Sequence, residues 1–110
     1  MKKFLHKTIT PESSKDDTLS LQYFLLEENL PIEECTLKCY GVEIRRTFLS
    51  LGFELSEVKQ IPNIFLNKYE ATKLLKKLAA ESVPPTRLSQ ELENYISDAL
   101  HTENRIPILI

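Results

Sequence analysis

The chain has 110 residues, 42% hydrophobic and 27% charged, with a formal net charge of -2 at pH 7. That length suits a single domain able to fold without metal or disulfide, and the near-neutral balance speaks against a dedicated binder of nucleic acid or anionic membrane. No apolar run approaches the roughly 18 residues of a membrane span, and Phe4-Leu5 is too short for a signal-peptide core, so the two cysteines read as reduced thiols of a cytoplasmic protein.

Phe4–Ile9 is β-tolerant and predicts a first strand, followed by a polar loop over Pro11–Asp17. From Thr18 to Leu26, Leu19, Leu21, Tyr23 and Leu25 alternate with polar residues until Phe24 and Leu26 make both faces apolar. That pattern predicts a central strand partly covered by helix. Glu27–Glu34, acidic and holding Pro31, reads as a connection.

Cys35–Arg46 predicts a long strand. Tyr40, Val42 and Ile44 share one face, whereas Leu37 and Cys39 have the opposite parity. A parity switch at Gly41 predicts a bulge or sharp bend there, because one extra residue turns later side chains to the other face. Phe48–Leu55 predicts a hairpin with Gly52 at positive φ, and Val58 and Ile61 carry the apolar spacing to Pro62.

Asn67-Lys68-Tyr69-Glu70 fits a capping box. Behind it Ala71, Leu74, Leu75, Leu78 and Ala79 form one helical stripe, with lysines opposite. Pro84-Pro85 ends this helix and opens a second. Its stripe is Leu88, Leu92, Tyr95, Ile96 and Ala99, with Glu91, Glu93 and Asp98 facing outward. The polar break Thr102–Arg105 precedes an apolar ending, Ile106-Pro107-Ile108-Leu109-Ile110.

This order of features, with Tyr-Gly-Val-Glu-Ile at 40–44, Ile-Pro-Asn-Ile at 61–64 and Val83-Pro84-Pro85-Thr86-Arg87-Leu88, resembles a family of small uncharacterised proteins of Clostridium-like Firmicutes. The resemblance runs from Thr18 to Leu100 and implies a cytoplasmic bacterial protein with strands first and helices last. It implies no activity.

The residues that carry chemistry are sparse. Cys35 and Cys39 in one strand stand about 13 Å apart, too far for a disulfide or a shared metal, which favours buried packing. His6 and His101 have no neighbouring nucleophile, and His101 suits the C-terminal end of a helix dipole. Glu27, Glu28, Glu33 and Glu34 lack the ligand spacing of a calcium site. With only Gly41 and Gly52, there is no phosphate-cradling loop. No cofactor or metal is therefore expected.

The expected fold is α+β: an antiparallel sheet of about four strands with two C-terminal helices on one face, one domain over residues 1–110. The expected role is a non-enzymatic protein-interaction or regulatory module, acting through a protein partner or self-association. Its contact surface is the apolar tail, Ile106, Ile108, Leu109 and Ile110, together with an exposed sheet edge. The alternative is weak nucleic-acid binding through Arg45, Arg46, Lys73, Lys76 and Lys77, whose bland counterpart is a solvated helix face plus charges guarding an edge strand.

Overall fold

A computed structural model describes residues 1–11 and 17–102, with side chains through residue 99. The tail residues Ile106, Ile108, Leu109 and Ile110, the middle of the expected loop at Pro11–Asp17 and the His101 side chain lie outside the described residues.

Four strands, β1 (Lys2–Ile9), β2 (Thr18–Ile32), β3 (Cys35–Ser50) and β4 (Phe53–Phe65), precede α1 (Lys68–Ala80), a 3-10 turn at Pro85–Arg87 and α2 (Leu88–Thr102). The sheet is an antiparallel meander in the order β1-β2-β3-β4. The α+β reading of strands followed by two one-sided helices therefore holds.

Directly opposed residues share a face of an antiparallel sheet. One face carries Leu21, Tyr23, Leu25, Tyr40, Val42 and Ile44, which meet Ala71, Leu74, Leu75, Leu78 and Ala79 of α1 and Leu88 and Leu92 of α2 in a single core. The α1 stripe is wholly buried, whereas in α2 Leu88 and Leu92 are buried and Tyr95, Ile96 and Ala99 only partly so. The phenol of Tyr23 crosses this layer and donates to the carbonyl of Val83 at 2.9 Å, fastening the link between the helices to the middle of the sheet. Burial pushes that phenol up to about 12. Phe65 meets Tyr95 edge to face at 6.3 Å, and the Tyr95 hydroxyl donates to Glu70 at 3.1 Å, tying α2 to the first turn of α1.

The capping box is half formed. The Asn67 side chain accepts from the amides of Tyr69 and Glu70, but Glu70 turns toward Tyr95 instead of reaching back. Glu91 also departs from expectation. It is buried and holds Arg87 at 2.7 Å, one helical turn away, where that guanidinium can neutralise it.

The segment over Glu27–Glu34 corrects the sequence reading, because β2 continues to Ile32 and turns only at Glu33-Glu34. Pro31 does not break it. Ile32 and Cys35 flank a two-residue turn and form the hydrogen-bonded pair, so Pro31, one step on, points its missing donor away from β3. On that side no strand among the described residues pairs with Pro31, since β1 pairs no further than Glu27.

The irregularity expected at Tyr40-Gly41 is real but belongs to the neighbouring strand. Pairing of β3 with β2 runs unbroken past Gly41, whereas Tyr40 opposes Phe65 and Val42 opposes Ile61. Pro62, Asn63 and Ile64 thus bulge opposite one glycine, with Asn63 in the left-handed region at φ 54. A Cβ on Gly41 would meet the Ile61 carbonyl oxygen and would stand 2.6 Å from the Cα of Pro62, so only glycine fits.

Candidate interaction surface

The two helices pack on one face of the sheet, and Glu43 stands on the other. At its centre Glu43 lies opposite Phe24 on β2 and Gln60 on β4. Its carboxylate is fully buried. Lys3 of β1 reaches it at 2.9 Å, the Gln60 side-chain amide donates to it, and the Arg45 guanidinium stands 3.7 Å away. The Lys3 ammonium also lies 5.4 Å above the Phe24 ring. Among the described residues, Glu43 Oε2 and Arg45 Nε have no hydrogen-bond partner.

Chemically this is a neutralised clamp joining β1, β3 and β4. A buried charge of this kind contributes little beyond an apolar equivalent, yet removing one partner is costly. The strand parity of Glu43 was legible; its burial was not, because Lys3 and Gln60 reach it only once the register is known.

The second surface is the far end of the sheet, where β3 and β4 run on beyond the helix layer. Leu51 and Gly52 both take positive φ, 51 and 84, the signature of a two-residue hairpin turn of type I′. Such turns favour Asn-Gly, so leucine is costly there, and Leu51 is 96% exposed. Phe53 is 69% exposed, and Leu49, Leu55 and Val58 are each more than 40% exposed. Five large apolar side chains thus stand exposed within ten residues at this end of the sheet, Phe53 and Leu55 on one face, Leu49 and Val58 on the other, and Leu51 at the turn. Nearby, Arg46 is held by Glu57 at 2.9 Å and by the Thr18 hydroxyl at 2.7 Å, and it stacks 4.4 Å over Phe48.

The basic residues marked in the sequence occupy three separate surfaces. Arg45 and Arg46, adjacent in a strand, face opposite sides. Because β3 lies between β2 and β4, neither guards an edge. Lys73, Lys76 and Lys77 share one flank of α1; Lys73 sits 3.9 Å from Glu70 and 5.6 Å over the Tyr69 ring. Lys76 and Lys7 approach His6, whose pKa falls below its ordinary value through burial first and these two charges second.

Cys39 is buried as expected, with its thiol pushed up by burial and by Glu28, whereas Cys35 is exposed. Among the described residues no three His, Cys, Asp or Glu side chains gather as a metal-holding group, and no helix is long and apolar enough to cross a membrane.

Comparison with protein families matches residues 2–98 to a family of unknown function, DUF6514. The chain belongs to that family. The match to DUF6514 takes in β1, which the resemblance read from Thr18 onward left out, and it stops short of the apolar ending. Comparison with curated proteins gives no match, and comparison with solved structures gives none either.

Proposed function

We propose that this member of DUF6514 is a non-enzymatic protein-interaction or regulatory module of a bacterial cytoplasm, and that its contact surface is the β3–β4 hairpin with the adjoining β4 edge. One observation carries the reading: Phe53 and Leu55 stand exposed on one face of this hairpin, Leu49 and Val58 on the other, and Leu51 at its tip. Large apolar side chains left exposed at one end of a sheet mark a place where proteins meet. Leu51 supports it further, since a leucine held in left-handed backbone and fully in water gives its own fold nothing. Weak nucleic-acid binding is the less favoured reading, because its five basic residues sit on three surfaces.

The test is site-specific photo-crosslinking in living cells, with the reactive group at Leu51 or, as control, at Glu93 on the exposed side of α2. Protein adducts concentrated at position 51 and lost on Phe53→Ser are expected. Equal yields at both positions refute the reading.

A further inference from the structure

We infer that the protein meeting β4 is a second copy of this chain, paired antiparallel to it about a two-fold axis at Val58 so that the two sheets become one. This rests on the interaction reading above and names its partner.

The two edges of the sheet differ. β1 carries Lys2, Lys3 and Lys7 and is broken by a bulge at His6, between Leu5 and Lys7. Charge and bulging are the usual devices that stop an edge from pairing. β4 runs from Phe53 to Ile61 without proline, glycine or bulge, and every residue from Phe53 to Gln60 except half-buried Glu57 is exposed. It is a long, regular edge whose charges, Glu54, Glu57 and Lys59, are of both signs.

The backbone groups that this edge offers follow from the turns. Ser50 and Phe53 flank the Leu51-Gly52 turn and form a hydrogen-bonded pair, so alternate residues Phe53, Leu55, Glu57 and Lys59 spend their amides on β3. Counting instead from the Glu33-Glu34 turn through β2 and β3 assigns Ile44 to Lys59 and Val42 to Ile61, the same parity. Both routes leave the N–H and C=O of Glu54, Ser56, Val58 and Gln60 pointing outward.

A two-fold axis through one of these outward residues pairs β4 with itself. Centred on Val58, it sets Val58 against Val58, Ser56 against Gln60, and Leu55 of one copy against Ile61 of the other. It also sets Glu57 against Lys59 twice, once on each side of the axis. Lys59 has no ion pair among the described residues, and the Glu57 side chain retains 37% exposure beside Arg46. Pro62, which lacks a donor, falls opposite Glu54 at the end of the pairing, where its loss is least. An axis at Ser56 would leave Glu57 facing Leu55, and one at Gln60 would run into the bulge at Pro62. The charges and the free amides select the same register. Phe53 and Leu55 then lie beside the other copy's sheet instead of in water.

The experiment is sedimentation of the full chain over a concentration series, with amide hydrogen exchange read residue by residue. A mass twice the 12.7 kDa of one chain is expected at high concentration. With it, the amides of Ser56, Val58 and Gln60 gain protection that fades on dilution, while those of Glu57 and Lys59 stay protected throughout. Val58→Pro should abolish the dimer and leave the fold intact, because that amide serves no bond to β3. Lys59→Glu should weaken it about tenfold by turning two cross-strand attractions into repulsions, and mixing Lys59→Glu with Glu57→Lys chains should restore it as a heterodimer.

A chain monomeric at every concentration overturns the self-pairing, as does a dimer untouched by Val58→Pro. If crosslinks at Leu51 then lead to a different protein, the interaction reading survives alone. If position 51 gives no excess, both fail.

Discussion

Gly41→Ala isolates the close approach of β3 to the bulge of β4. The added Cβ would stand 2.6 Å from Pro62 Cα and 3.0 Å from its carbonyl carbon, against the 3.4 Å at which ordinary contact begins. Relief from Pro62 alone needs a displacement of about 0.8 Å, the Ile61 carbonyl oxygen lies nearer still, and all these atoms are backbone, with no flexible side chain to swing aside. Moving that backbone disturbs Ile64 and Phe65, both core residues that lead into α1. Overpacking of a tight interior costs typically 1–3 kcal/mol and occasionally more; with only backbone to yield, a loss of about 3 kcal/mol is expected. For a domain of this size that lowers the melting temperature by roughly 15 °C. Urea and thermal unfolding of wild type, Gly41→Ala and Gly52→Ala would measure it. Gly52 is the control: its φ of 84 strains an alanine, but nothing lies within 4 Å of the new atom. Its cost should stay near 1–2 kcal/mol. If Gly41→Ala proves no worse than Gly52→Ala, the steric account of the bulge is wrong.

Three further outcomes follow from the core and the hairpin. Tyr23→Phe leaves the buried Val83 carbonyl without its donor and should cost about 1–2 kcal/mol by urea titration, with the fold retained in circular dichroism. Alkali should weaken the fold above pH 10. Unfolded tyrosines ionise there, while Tyr23 keeps its proton to about 12, so the native state binds more protons and stability falls as pH rises. Tyr23→Phe should flatten that decline. Leu51→Asn restores the residue that a type I′ turn favours and should raise unfolding stability by about 0.5–1 kcal/mol, while leaving pairing about Val58 unchanged.

Much of the fold was legible because periodicity reports burial directly. The stripe from Ala71 to Ala79, the alternation around Tyr23 and the turn at Gly52 all appear where the spacing puts them. The misreadings share a cause: whether a residue is tolerated or covered depends on the strand beside it. Pro31 looked like a breaker because its vacant neighbour could not be seen. The parity switch at Gly41 pointed to the right place, but the extra residues lie in β4, some twenty positions later. Glu43 looked like an ordinary outward charge until Lys3 and Gln60 closed over it. The exposed hairpin was hidden differently. Leu49, Leu51, Phe53 and Leu55 have the composition of a core, and only the finite length of the helix layer leaves them outside it.

The extra residue at His6 has a consequence for assembly. A ribbon with two welcoming borders would add copy after copy and grow into a fibre. Here one border is crooked and cationic, so joining along the other, as inferred above, would use up the regular edge of the described sheet. Such a union would close at a pair, with the two bulged, lysine-bearing strands outermost.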